Sequence, residues 1–341
     1  VKRVSTIGLD IAKHVFQAHG VDAEGRKVFS QRLTRRKVLE FFATQPACLV
    51  ALEACGGAHH WARELVKQGH DVRLIPPAYV KPFVKRNQKN DALDAEAICE
   101  AAQRPNMRFV AIKSEEQQAC ALVFRTRDLL VRQRTQLINA IRGHMAEYGW
   151  VAPKGPAWIA SLREVIDSDN SLPAAARDML RVMLGMLDEL DLRITDLDKE
   201  ITRRAREDED ARRLMTIPGI GPIAATAICA LAPPAETFVR GRDFAAWVGL
   251  TPLQKSTGGK AKLGRTSKMG ERTLRRLLII GGSAVVRHAS RKAPPPGSWL
   301  GSMLARKPRM LVTVAQANKT ARIVWAVLTK KEEYRAPVAA A

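Results

Sequence analysis

Apolar and polar positions along the first hundred residues switch period several times. Val4–Asp10 is a short apolar run that ends in a carboxylate, and it predicts a strand. His14–Val21 and Arg26–Leu33 follow as two strand-like segments. They are joined by Asp22-Ala23-Glu24-Gly25, a turn-forming stretch, so the pair predicts an antiparallel hairpin. Arg35–Thr44 reads as a helix. Ala47–Glu53 is a fully apolar strand that also ends in a carboxylate. Gly56-Gly57 opens a helix over about His59–Gln68, and Gly69 stops it. Asp71–Ile75 is a strand closed by Pro76-Pro77, and Asp91–Gln103 is helical. The order strand, strand, strand, helix, strand, helix, strand, helix predicts an α/β fold with a mixed sheet.

Beyond that the pattern is helical. Glu115–Gly149 reads as a long, Arg-rich helix, and Trp150–Pro173, with Pro153, Gly155, Pro156 and Pro173, as a connector. A second long helix runs from about Ala174 to Asp210. Leu180, Leu184, Leu187, Asp191, Ile194, Leu197 and Ile201 fall near a 3.5-residue spacing, broken at Asp191. An antiparallel pair, an intermolecular coiled coil and a plain helical spacer all fit that spacing. From Leu214 a Pro-Gly-rich segment leads into the small apolar helix Ala224–Leu231. The Gly- and Lys-rich 250s and 260s follow. Leu274–His288 is a helix, Ala293-Pro294-Pro295-Pro296-Gly297 breaks the chain, and Leu311–Thr329 is a last basic helix before a fraying tail.

Composition narrows the possibilities. Hydrophobic residues make up 46% of the 341, which excludes a mainly disordered chain. The length suggests two or three domains. The longest apolar runs, such as Ala47–Leu52 and Leu277–Ile280, fall far short of the roughly 20 residues a membrane span needs. The first ten residues carry neither the longer apolar core of a signal peptide nor a cleavage signal, so a cytoplasmic location is expected. Cys48, Cys55, Cys99, Cys120 and Cys229 have no zinc-pair spacing and read as free structural thiols.

Charge points to the partner. Lys and Arg number 56 against 34 Asp and Glu, which leaves +22, a footprint for a polyanion. The charge is uneven: Thr237–Arg335 holds 21 basic against 4 acidic residues, whereas Asp178–Asp210 holds 6 against 11. Aromatic residues are only 5%, which disfavours a stacking platform for single strands and favours contacts to phosphates.

Three constellations carry candidate chemistry. Asp10 and Glu53 each end a strand, and adjacent strands would set them side by side. Asp91 and Asp94, three apart on a helix, share a face. Four converging carboxylates repel one another and suit Mg²⁺ or Mn²⁺, but strand-end and helix-cap roles fit the same spacing, as does a nucleotide-binding turn at Asp10–Lys13. Pro218-Gly219-Ile220-Gly221 before a small helix suits sequence-independent phosphate contact through Gly219 and Gly221, or a simple tight turn. Thr251–Lys260 with Gly264–Gly270 places hydroxyls in a basic loop that contains Lys255, Lys260, Arg265 and Lys268. On the residues alone this is better read as an anion-binding nest or basic loop than as a nucleophile site. His59-His60 reads as a polar helix start, and Trp247 as core.

Taken together, the motifs resemble the transposases of the insertion sequence 110 family, and most closely its insertion sequence 1111 branch. The resemblance rests on Ile7–Lys13, Leu52–Gly57, Lys89–Ile98, Ile217–Pro222, Phe244–Pro252, Ser256–Lys260 and Ser267–Gly270 through Leu274–Leu278. Each is weak by itself; their order over nearly the whole chain is specific. Two positions depart from the family pattern, Cys55 where Thr is common and Asn90 where Thr is common. Neither is a proposed ligand.

The resemblance implies a ribonuclease-H-like N-terminal domain of the Holliday-junction-resolvase type over residues 1–112, a helical coiled-coil linker over 113–210 and a mainly α-helical transposase domain over 211–335. It implies an Asp-Glu-Asp-Asp set of Asp10, Glu53, Asp91 and Asp94 holding Mg²⁺ (or Mn²⁺). It also implies a nucleophilic serine that matches Ser256, with Thr257 and Ser267 as nearby hydroxyls. DNA would be cut through a covalent phosphoserine, with the two sites combined across subunits; the long helices and the uneven charge suggest a dimer or tetramer. A structured RNA encoded beside the gene would guide the choice of double-stranded DNA. Lys255, Lys260, Arg265, Lys268, Arg275 and Arg276 become candidate nucleic-acid contacts, and the expected location becomes the bacterial nucleoid. The main alternative is a junction nuclease that uses water and leaves Ser256 dispensable. An actin-like sugar kinase lacks a second Asp-Gly phosphate strand, and a non-catalytic repair factor would not need the acidic set.

Overall fold

The computed structural model describes residues 3–84, 90–153, 155, 158–168, 171–292, 294 and 297–336. Lys89 of the third motif, Pro156 of the expected connector, Ala293, Pro295 and Pro296 of the expected break, and the last five residues of the tail lie outside these. The chain divides into two compact units, Val1–Gln118 and Ala119–Ala341.

In the first unit, β1 (Thr6–Ile11), β2 (Val15–Val21) and β3 (Lys27–Thr34) form an antiparallel meander. A 3₁₀ turn leads into α1 (Val38–Ala43). β4 (Leu49–Glu53), α2 (Ala58–Lys67), β5 (Asp71–Ile75), the short α3 (Pro77–Val80) and α4 (Asp91–Ala102) follow. β4 lies parallel to β1 and β5 parallel to β4, so the sheet order is β3-β2-β1-β4-β5. This is the expected mixed sheet, and the architecture is ribonuclease-H-like.

Strand alternation sorts side chains to the two faces. Ile7, Leu9, Val50 and Leu52 enter a core with Trp61 and Leu65 of α2 and with Phe42. Ala51 and Ile75 face the other way and pack on Ile98 and Ala101 of α4. Gly8 shares that second face. A Cβ there would come within 2.2 Å of the Ala95 carbonyl and 2.6 Å of the Cys99 amide. The missing side chain is what allows α4 to lie against β1.

Among the described residues the regular elements of the second unit are helices apart from one hairpin. α5 (Glu115–Glu147) leads into it. α6 (Ile159–Ser168) and α7 (Ala174–Glu207) follow. Arg127 pairs with Asp198 and Arg134 with Asp191, so α5 and α7 run antiparallel. Leu180, Leu184 and Leu187 of α7 are buried with Ile138 and Ile141 of α5 and with Ile159, Leu162 and Ile166 of α6. The 3.5-residue seam is therefore filled from within the chain.

The remaining elements are α8 (Glu209–Met215), α9 (Pro222–Leu231), α10 (Gly241–Val248), β6 (Pro252–Gln254), β7 (Leu263–Thr266), α11 (Arg272–Arg291), α12 (Trp299–Arg306) and α13 (Arg309–Lys330). α9 is almost wholly apolar and sits in the middle of a core with Leu214, Phe244, Leu278 and Val324. The expected connector contains α6. The second long helix ends at Glu207, because the Asp208 side chain accepts the Ala211 amide at 2.8 Å and starts α8. No described helix is long and apolar enough to cross a membrane.

Candidate functional site

The acidic site is assembled by strand register and helix capping. Leu9 lies opposite Leu52, so Asp10 and Glu53 are the next residues on two parallel neighbours. Asp10 has the parity of Gly8 and so points to the face that α4 covers. α4 starts where the Asn90 side chain accepts the Leu93 amide at 2.9 Å, which puts Asp91 and Asp94 in its first turn. Carboxylates at that position are favoured by the helix N-terminus even without a ligand. The close approach at Gly8 then carries that turn to Asp10.

One carboxylate oxygen from each of Asp10, Asp91 and Asp94 lies within 4.8 Å of the others. Glu53 is outside that triad, but its charge acts on Asp10. Burial pushes the Asp10 carboxyl up to about 6, and the charges of Asp94, Asp91 and Glu53 add to the rise. A carboxyl raised in this way has no compensating positive charge beside it and would give up its proton to solvent as a cation binds. The donor set is all oxygen. These features fit a hard divalent cation such as Mg²⁺ or Mn²⁺ and not a thiolate-bound metal.

His59 and His60 take no part. The His59 Nδ1 accepts the Lys113 amide at 3.2 Å, and exposed His60 rests edge-on against Trp61. Both fit the polar helix-start reading.

Ser256 stands in a different setting. It is exposed in the connection between β6 and β7, where its Oγ accepts the Lys262 amide at 3.1 Å and lies 3.4 Å from Gln254 Oε1. Lys255, Lys260 and Arg265 are exposed on the same hairpin, and Thr257 and Lys260 close its tip. Ser267 is part-buried, and its hydroxyl has no hydrogen-bond partner. Lys268 is exposed, with a left-handed backbone (φ 54°).

The other candidate contacts divide into open and engaged residues. A Cβ on Gly219 would meet the Gly281 carbonyl at 2.7 Å, so its bare backbone serves the packing of this turn on α11. Gly221, at the start of α9, is exposed with nothing near its Cβ position. Arg275 donates to the Val248 and Met269 carbonyls, each at 3.0 Å, and so ties the end of α10 to the base of the hairpin. Arg276 pairs with Asp128. Sequence reading gave neither arginine this internal use, and only the partner carbonyls and carboxylate identify it.

Both halves of the chain resemble known proteins. Residues 7–149 match a family model described as a transposase, of the DEDD type of IS110. Residues 211–294 match a second, described as Transposase IS116/IS110/IS902 family. A probable family 20 transposase of Pseudomonas aeruginosa is 49% identical over 97% of this chain and 99% of its own length. The transposase for insertion sequence element IS1328 of Yersinia enterocolitica is 39% identical over 96% of this chain and 97% of its own. The transposase for IS1111A of Coxiella burnetii is 39% identical over 98% and 92%. The chain belongs to the IS110 family of transposases, enzymes that cleave and rejoin DNA.

Proposed function

We propose that this transposase mobilises its own insertion sequence by divalent-metal-assisted strand cleavage and rejoining through a covalent phosphoserine. The observation that carries the reading is the convergence of Asp10, Asp91 and Asp94 within 4.8 Å, with an Asp10 carboxyl that holds a proton up to about pH 6. Asp10, Asp91, Asp94 and Glu53 would hold Mg²⁺ or Mn²⁺. When bound, the cation supplies Lewis-acid stabilisation of charge on the phosphate oxygens.

The residues of the chain do the rest. The Ser256 hydroxyl loses its proton and forms an O–P bond, and one ester P–O bond of the DNA breaks. The released DNA hydroxyl takes up a proton. Attack by another DNA hydroxyl reverses the chemistry and frees Ser256. The number of phosphoester bonds is conserved, so rejoining needs no nucleotide triphosphate. Lys255, Lys260 and Arg265, exposed beside Ser256, are placed to hold non-bridging oxygens. Lys268 and Gly221 extend that surface toward the DNA backbone, whereas Gly219, Arg275 and Arg276 would support it from within.

In this reading residues 1–112 carry the acidic site, 113–210 form a helical linker and 211–335 bind DNA. The protein works as a homo-oligomer, and an RNA encoded beside the gene selects the sites. The chain's +22 charge supports a nucleic-acid partner of either kind. A second reading has its own support: the whole carboxylate set lies in residues 1–118, so a water-using junction nuclease would need nothing from the second unit.

The test is cleavage of labelled DNA carrying the joined element ends, with and without the flanking RNA, in Mg²⁺ or in chelator. Cleavage that needs both Mg²⁺ and RNA is expected. Full activity in chelator would remove the metal from the reaction, and full activity without RNA would remove the guide.

A further inference from the structure

A groove of about 1050 Å³ opens between the β6–β7 hairpin and the helices α12 and α13. That is the size of a small-molecule site, which typically spans about 300–1,000 Å³. Its wall is apolar along α13, where Met310 and Val314 lie, and it carries Trp299 from α12. Its cations are Arg265 of the hairpin and Lys319 and Arg322 of α13, and no carboxylate lines it. Among the described residues neither Arg265 nor Arg322 has an ion-pair partner. The Lys319 Nζ lies 4.5 Å from the centre of the Trp299 ring. Trp299 is 38% exposed, and Met310 is 67% exposed.

An apolar trough with an aromatic plane and three cations, free of negative charge, matches a nucleotide. The base takes the apolar wall and ring, and the phosphates take the cations. A helix of stacked base pairs hides its bases, so only an unstacked nucleotide could use such a groove. We propose that it receives a single unstacked nucleotide of the DNA strand beside the scissile phosphate. Arg265 supplies the link, because it sits on the same hairpin as Ser256; to that extent the proposal rests on Ser256 acting on DNA. Phosphate is a stronger partner for an ammonium than an aromatic face. Arrival of the strand therefore draws Lys319 onto phosphate and leaves the Trp299 ring for the base.

The probe is a single-stranded DNA 20-mer carrying one 5-iododeoxyuridine, irradiated with the full-length protein and mapped by mass spectrometry. A matching RNA and a blunt DNA duplex run beside it. A crosslink on Trp299 from single-stranded DNA, weaker with duplex and no stronger with RNA, is expected. Trp299→Ala should weaken single-strand binding about tenfold, as loss of one stacking partner does. Ala315→Phe, which fills the groove from α13 without removing charge, should weaken it comparably while duplex affinity holds. Crosslinks confined to other sites, or equal losses for duplex and single strand, overturn the proposal. Stronger RNA than DNA crosslinking overturns the choice of DNA. The crosslink needs no cleavage and should persist in Ser256→Ala. A Trp299 crosslink in a protein that forms no covalent adduct with joined element-end DNA, RNA and Mg²⁺ would sink the serine reading and the placement beside the scissile phosphate, and leave a nucleotide groove standing.

Discussion

The acidic site and the Ser256 hairpin, the two places to which chemistry is proposed, stand on opposite kinds of scaffold. Asp10 and Glu53 extend from buried strands in the middle of a five-stranded sheet, and Asp91 and Asp94 sit on a helix held at backbone contact by Gly8. Their geometry is set by folding. Ser256 rides on two short strands, exposed along β6 and partly so along β7, and its neighbours are lysines in solvent. A site on packed elements is positioned before substrate arrives; one on an exposed hairpin is completed by what binds it. The contrast suits a division of labour in which metal binding is built in and the nucleophile is presented only on DNA.

The largest test of that contrast is loss of either site. Asp10→Ala and Ser256→Ala should each cut recombination by about 10⁴-fold or more, as removal of a group acting directly on the reacting atoms does. They should differ in binding: Asp10→Ala should abolish stabilisation by Mg²⁺ in thermal melts, and Ser256→Ala should leave it intact. Equal Mg²⁺ responses in the two variants would erase the distinction.

Next comes Gly8→Ala, which touches no substrate. Its Cβ would strike the backbone of α4, so a loss of about 1–3 kcal/mol in chemical denaturation is expected. Displacing Asp91 and Asp94 by about an ångström should lower cleavage by about 10²-fold. Unchanged cleavage in a folded Gly8→Ala protein would mean that the acidic site tolerates movement.

A smaller effect follows from the Asp10 carboxyl. Its folded value, about 6, lies above the ordinary 3.8. Without a cation the folded state therefore keeps a proton that the unfolded chain gives up. Its contribution to stability is fully present below pH 3.8 and is lost as pH rises through about 6. Mg²⁺ competes with that proton, so its stabilising effect should grow between pH 5 and 7. Melts of wild type against Asp10→Asn over this range isolate the group; identical pH profiles would contradict the raised value.

The smallest effects separate structural from DNA-facing cations. Arg276→Gln breaks a half-exposed pair with Asp128 and should cost under about 1 kcal/mol. Lys260→Gln should leave stability unchanged and reduce the slope of DNA affinity against salt by about one ion. A salt-slope change from Arg276→Gln as large as that from Lys260→Gln would place both on DNA.

Much of this was legible in the chain because the first unit's elements are set by local pattern. The strand and helix order held except for the short α3 after the last strand, and Asp71–Ile75 matched to the residue. What could not be read is tertiary. The short helix α6 hides between breakers, with only Ile159, Leu162 and Ile166 to mark it. β6 and β7 lack an alternating buried face, so nothing distinguishes them from loop. The α7 seam has the same spacing whether its partner is in the chain or outside it, and only its burial against α5 and α6, with the Arg127–Asp198 and Arg134–Asp191 pairs, decides. At the acidic site the carboxylates were nameable, whereas the role of Gly8 needs α4 beside β1. Gly219, expected to face either phosphate or a turn, meets Gly281.

The most direct measurement is covalent trapping. Wild type, Ser256→Ala and Asp10→Ala are each incubated with labelled DNA of the joined element ends, the flanking RNA and Mg²⁺, then denatured and separated on a gel. A labelled protein band in wild type that is absent from both variants is the expected result. Cleaved DNA without any protein-bound label, with Ser256→Ala as active as wild type, would contradict it and point to water as the nucleophile.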